Sequence, residues 1–196
     1  MIIGLTGGIA SGKSTISSMI KKLNIPVVDA DLIAREVVQP GEEAHKQIIE
    51  AFGQELLLPD QSIDRKKLGT IVFNDTEKRQ ILNGIVHPAV RKSMIDRRDM
   101  FLEDHQTVVL DIPLLFESKL THFVDRTILV YVSAETQLKR LVERDNSTEE
   151  EAVSRIRSQL SLEDKREWAD AIIDNNESVQ QSNDQLVHIL NSWDVL

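Results

Sequence analysis

The segment Gly7-Gly8-Ile9-Ala10-Ser11-Gly12-Lys13-Ser14 constrains this chain more than any other. It follows a short apolar run, Ile2-Ile3-Gly4-Leu5, and precedes Ile16, Met19, Ile20 and Leu23 at helical spacing. A buried strand, a glycine-rich turn and an amphipathic helix from Ser14 to Leu23 are expected in that order. In that setting the pattern G-x-x-x-x-G-K-[ST] describes a phosphate-binding loop: the glycines let successive N–H groups turn inward, and the positive end of the helix closes the nest. Lys13 reaches the β and γ phosphates of a nucleoside triphosphate as a point charge, and the Ser14 hydroxyl is placed to ligate Mg²⁺. A chance glycine-rich turn is the competing explanation, and it does not account for strand, helix and lysine in register.

The rest of the chain alternates in the same manner. Val27-Val28-Asp29 predicts a second strand after the break at Asn24-Ile25-Pro26, and a helix follows to about Val38. Ile48, Ile49 and Phe52 mark another helix ending near Gly53, with a loop from Leu56 to Ile63. Arg65 to about Phe101 reads as helical, broken near Asn74-Asp75 and again at His87-Pro88, because proline disfavours helix at the residue before it. Thr107 to Ile112, Thr127 to Val132 and Ala171 to Ile173 read as further strands. Leu138, Leu141 and Val142 predict a helix after Ser133, Glu143 to Lys165 a charged, core-poor and mobile helical arm, and Leu186 to Trp193 a closing helix. Strands alternating with helices imply parallel pairing through right-handed crossovers, with ligands at the carboxyl ends of the strands.

Several side chains fall at those ends. Asp111 closes an apolar strand, where it serves either a metal, directly or through water, or the turn at Pro113. Asp29 and Asp31 follow the second strand: either caps the next helix, with Asp31 well placed as N-cap, or orients and deprotonates an acceptor hydroxyl. Arg140 and Arg144, four residues apart, share a helix face. They either neutralise charge on a transferred phosphoryl group or form a solvated, salt-bridged face with Glu143. The five histidines show no metal-ligand spacing, and a Ser-His-Asp triad has no support because Ser11 and Ser14 belong to the loop.

Composition narrows the partners. With 196 residues, 41% hydrophobic and 28% charged, the chain suits one compact domain plus an inserted helical lobe. A net charge of −9 argues against nucleic acid as a partner. No apolar span is long enough for a membrane and no leader is evident, so a soluble, unexported protein is expected, without membrane association. Zero cysteines exclude disulfides and thiolate chemistry and suit a reducing compartment, the cytoplasm.

Beyond the loop, an ordered set of segments resembles the bacterial dephospho-CoA kinase family over nearly the whole chain. It comprises Leu5 to Ser14, Asp29-Ala30-Asp31 with Ala34 to Val38 and Pro40-Gly41, Asp64-Arg65, Leu68-Gly69, Ile71-Val72-Phe73, His87-Pro88, Arg91, Asp111-Ile112-Pro113-Leu114-Leu115-Phe116-Glu117, Arg155-Ile156, Gln159, Ala169-Asp170, Ile173 and Asn175. Leu160-Ser161 and Asn176-Glu177 depart from the usual family residues. The resemblance implies an α/β, three-layer P-loop NTPase fold: a five-stranded parallel sheet (about 1–30, 105–140 and 168–196), a helical acceptor lobe (about 31–104) and a lid (about 141–167). It implies ATP as co-substrate with Mg²⁺, and transfer of phosphate to the ribose 3′-hydroxyl of dephospho-CoA, the last step of coenzyme A synthesis. It assigns catalysis to Asp31 as base, Lys13 and Arg140. ATP falls to Gly8, Ile9, Ala10, Ser11, Gly12, Lys13, Ser14, Thr15 and Arg144. The acceptor falls to Asp31, His87, Arg91, Asp111 and Leu115, and the metal to Ser14 with Asp111 through water. A monomer or small homo-oligomer is expected. A nucleoside monophosphate or small-metabolite kinase shares the loop, sheet and lid, whereas a guanine-nucleotide switch would need an Asn-Lys-x-Asp segment that is absent.

Overall fold

The computed structural model describes residues 1–73 and 75–196; the expected break at Asn74 therefore lies partly outside the described residues. The chain divides into two compact units, 1–28 with 100–196 and 29–99.

The first unit is built on a five-stranded sheet in the order β2-β3-β1-β4-β5. Its strands are β1 (Ile2–Gly7), β2 (Val27–Asp29, which ends in the second unit), β3 (Val108–Asp111), β4 (Arg126–Tyr131) and β5 (Ala171–Asp174). β1 pairs in parallel with both β3 and β4, and β4 with β5. Alternation along β4 sets the layers. Ile128 and Val130 join Ile3 and Leu5 on the face covered by α1 (Lys13–Lys22) and α9 (Val179–Ser192), through Ile16, Ile20, Leu186 and Leu190. Leu129 and Tyr131 point to the other face and meet Leu162 of α8 (Leu162–Trp168). Two helical layers thus enclose a sheet whose strands read as continuous apolar runs, as a doubly covered parallel sheet requires.

Between β4 and β5 lie α6 (Ala134–Asp145), α7 (Glu149–Arg157) and α8. Each begins at a hydroxyl cap: Ser133, Thr148 and Ser161 accept from Thr136, Glu151 and Asp164 N–H groups. The arm expected to be core-poor contributes fully buried groups, Ala152 and Lys165, besides Leu162.

The second unit is helical: α2 (Ala30–Glu36), α3 (Glu43–Phe52), α4 (Arg65–Phe73) and most of α5 (Thr76–Leu102), the last three packed around Ile48, Leu56, Ile63 and Leu68. The expected break at His87-Pro88 is absent, since α5 runs 27 residues with Pro88 inside it. The residue four before the proline is Gly84, whose carbonyl loses its donor there. Proline disfavours helix at His87 without forbidding it, and the turns on both sides hold the helix.

Candidate active site

The loop leaves β1 at the centre of the sheet, where β3 and β4 flank it and the winding direction changes. Gly12 is the N-cap of α1 at φ +88°, and no side chain caps the first turn. The positive end of the α1 dipole is therefore left without a side-chain cap, although the Thr15 N–H already donates to the Gly12 carbonyl over 3.0 Å. A Cβ on Gly12 would lie 2.2 Å from Asn175 Nδ2, so glycine is required both for conformation and for space. Asn175 is buried: its Nδ2 donates to the Ser11 carbonyl over 2.8 Å, and its Oδ1 accepts from Ser182 Oγ over 2.7 Å. The Ser11 hydroxyl is buried with no hydrogen-bond partner, a polar atom left inside the loop.

Lys13 and Asp111 meet as an ion pair, with side chains 16% and 3% exposed. Register explains this. Asp111 stands opposite Leu5 and ends β3, while Lys13 begins the helix that returns over the sheet. Ser14 and Thr15 are exposed on the first turn of α1. Arg140, half-buried on α6, brings Nη1 to 4.0 Å from the position a Cβ on Gly12 would take. Arg144 is exposed and directed elsewhere: Nε and Nη2 donate to Asp145 over 2.7 and 3.1 Å, which raises its pKa. Arg155 also reaches Asp145, and the two guanidinium hydrogen bonds hold that carboxyl down at about 2. The ionic partner of Arg144 is thus Asp145, not Glu143.

Leu115 is wholly buried, with Cδ2 2.9 Å from where a Cβ on Gly4 would stand, so its side chain belongs to the core beside β1. In the helical unit, Asp31 is exposed at the second position of α2. The N-cap is Asp29, whose Oδ1 accepts from the Asp31 and Leu32 N–H groups over 2.9 and 3.0 Å. Of the two aspartates that the sequence offers as caps Asp29 takes the role, and the helix starts two residues earlier than capping by Asp31 would place it. His87 and Arg91 are exposed on α5, where Arg91 Nε donates to the His87 carbonyl over 3.3 Å.

The largest omission from the sequence reading is Lys165. Its side chain is 0% exposed, with Nζ 2.7 Å from Glu117 Oε1 and 3.4 Å from the Gly7 carbonyl. A signal was available: Lys165 lies three residues after Leu162, on the face of α8 that packs against the sheet. The two departures from family residues are locally compensated. Ser161 caps α8, and Asn176 Oδ1 accepts the Ser133 N–H over 3.0 Å.

The arrangement can hold a polyphosphate: open helix amides, a lysine and an arginine converge on one loop. A model of the dephospho-CoA kinase family matches residues 1–181. The dephospho-CoA kinase of Oceanobacillus iheyensis is 56% identical over 196 residues, covering 100% of this chain and 98% of that protein. The structure of a dephospho-CoA kinase from Campylobacter jejuni is similar with a TM-score of 0.76 and 31% identity, covering 98% of this chain and 96% of that one. A shikimate kinase from Bacteroides thetaiotaomicron, TM-score 0.53 at 15% identity with 99% and 98% of the two chains covered, shares the fold alone. With its sheet, its loop and a match over nearly its full length, the chain belongs to the dephospho-CoA kinase family.

Proposed function

We propose that this chain transfers the γ-phosphoryl group of ATP to the 3′-hydroxyl of dephospho-CoA, giving coenzyme A and ADP. The observation that supports it most is the convergence of Lys13, Arg140 and the uncapped start of α1 on the Gly7–Ser14 loop in a chain of this family. The segment Gly8 to Thr15 binds the triphosphate. Lys13 moves from Asp111 onto the β and γ phosphates and Arg140 meets charge developing on the transferred group. Asp31 orients the acceptor hydroxyl. As that oxygen bonds to the γ-phosphorus, the bond to the β,γ-bridging oxygen breaks, and the hydroxyl proton passes to the Asp31 carboxylate. Arg144 joins the nucleotide only by leaving Asp145, and His87 and Arg91 carry the acceptor from α5.

The residues fit magnesium in a limited way. Among the described residues no group of three or more His, Asp or Glu side chains could hold a metal. The Ser14 hydroxyl and Asp111 carboxylate offer hard oxygens, which suffices for an ion that takes its other ligands from phosphates and water. When bound, that ion would neutralise phosphate charge. No helix among the described residues is long and apolar enough to cross a membrane. A cytoplasmic monomer or small homo-oligomer acting on small molecules, without nucleic acid, completes the proposal.

Coenzyme A formation from ATP and dephospho-CoA by the purified protein is the test. ATP turnover indifferent to dephospho-CoA refutes the acceptor, and AMP, CMP, shikimate and gluconate in the same assay measure selectivity. Asp31→Asn is expected to keep ATP binding and lose about 10²- to 10⁴-fold in transfer. A near-normal rate removes Asp31 from the base role.

A further inference from the structure

The Ile9 carbonyl and N–H are each held by a glutamine from outside the loop. Gln137 of α6, 5% exposed, donates from Nε2 to the Ile9 carbonyl over 2.8 Å. Gln159, in the connection between α7 and α8, accepts the Ile9 N–H at Oε1 over 2.9 Å. We infer that Gln137 and Gln159 are positioning residues for the phosphate donor, fixing two consecutive peptide planes of the loop.

The argument runs through peptide geometry. In a trans peptide the C=O and N–H point in opposite directions. Tying the Ile9 carbonyl to Gln137 therefore aims the Ala10 N–H away from α6. Tying the Ile9 N–H to Gln159 likewise sets the Gly8 carbonyl, which accepts the Ser11 N–H over 3.1 Å. Ala10 follows the second of these planes and occupies φ +59°, a left-handed conformation uncommon for a residue with a Cβ; the next N–H, of Ser11, is the one that returns to the Gly8 carbonyl. The approach of Gln137 is close: a Cβ on Gly8 would lie 2.7 Å from Nε2 and 3.2 Å from Leu162. The Gln159 segment is itself anchored, since the next N–H, of Leu160, donates to Glu117 Oε1 over 3.2 Å, and Glu117 pairs with buried Lys165. Gln137 and Gln159 thereby set the direction of loop amides through the Ile9 peptide groups.

This inference rests on the assignment of the loop to ATP phosphates. It also makes a chemical distinction: position 159 must accept a hydrogen bond and position 137 must donate one. A carboxylate serves the first and fails the second, although both substitutions add one negative charge. The experiment measures ATP affinity by calorimetry, with KM for ATP and for dephospho-CoA alongside, in Gln159→Met, Gln159→Glu, Gln137→Met and Gln137→Glu. Loss of one such part-buried hydrogen bond weakens ATP binding by roughly ten-fold. That loss is expected for both Met variants and for Gln137→Glu, with dephospho-CoA KM unchanged, while Gln159→Glu stays within about three-fold of the parent. The partly exposed Gln159 pair decides the matter if the Gln137 variants do not fold. Gln159→Glu as impaired as Gln159→Met, or Met variants equal to the parent, overturns the inference alone. A parent protein that binds no ATP overturns it together with the loop assignment.

Discussion

Replacing Lys165 by Met tests whether the buried charge beneath the loop holds the sheet unit together. Lys165 Nζ and Glu117 Oε1 are 2.7 Å apart, with side chains 0% and 18% exposed. At an effective dielectric of about 20 their attraction is roughly 6 kcal/mol, against a desolvation cost of several kcal/mol for each ion. The net worth of the pair is therefore small, but removing one partner strands the other. Lys165→Met leaves the Glu117 carboxylate without its cation, and Glu117 Oε2 already has no hydrogen-bond partner. The expected loss is about 3–5 kcal/mol. In a chain of this size each kcal/mol moves the thermal midpoint by about 2–4 °C, so Tm should fall by roughly 6–20 °C. Lys165→Met combined with Glu117→Leu removes both charges at similar volume and should recover most of that loss. The Leu160 N–H then lacks its acceptor, and the Gly7 carbonyl loses the Lys165 donor. Thermal melts of the parent, the two single variants and the double variant close the cycle, with a coupling of about 2 kcal/mol or more expected for groups in contact. A single variant within a degree of the parent, or a double variant no better than Lys165→Met, refutes the reasoning.

Gly12→Ala forces a Cβ onto φ +88° backbone and against Asn175 Nδ2, so about 1–3 kcal/mol of strain adds to the clash. Tm and ATP affinity should fall together, and unchanged ATP affinity would disconnect Asn175 from the loop's shape. Asp145→Asn removes the negative charge that Arg144 and Arg155 share and one of its two acceptor oxygens. Because the folded pKa, about 2, lies below the usual 3.8, the parent's advantage is complete above pH 3.8 and fades as pH falls toward 2. Melts of the two proteins across that range should converge at the acid end; a constant offset refutes the linkage. Pro88→Ala restores a donor for the Gly84 carbonyl and relieves the ring inside α5, so stability should rise by about 1–2 kcal/mol after allowing for a freer unfolded chain. A drop in Tm would show that the proline ring supports the helix.

The strands, the loop and most helices were legible because their signals are local: apolar runs, a glycine pattern and apolar spacing all lie within a dozen residues. The errors share a different origin. Helix at Pro88 survives because 27 residues of favourable turns outweigh one lost hydrogen bond, a sum that no dipeptide rule contains. The choice between Asp29 and Asp31 as cap, left open by the sequence, turns on where β2 ends, a boundary uncertain by a residue or two. Lys165 looked like part of a solvated arm because its partner, Glu117, lies 48 positions away and only the fold brings them together. The pairing of Lys13 with Asp111 is of the same kind: both residues were singled out, and their contact depends on the register of β1 with β3.

These placements also separate two functions that the family name joins. The loop, Lys13, Arg140, Asp111 and the glutamines all belong to the sheet unit, whereas Asp31, His87 and Arg91 belong to the helical unit. All the groups proposed for donor binding therefore lie outside residues 29–99. Substitutions at Lys13 or Gln159 should reduce ATP affinity whatever the acceptor. Those at Asp31 should reduce transfer at saturating ATP and leave the nucleotide affinity intact. If Asp31→Asn weakened ATP binding as much as Lys13→Met, Asp31 would act in donor binding, and the acceptor hydroxyl would need another base.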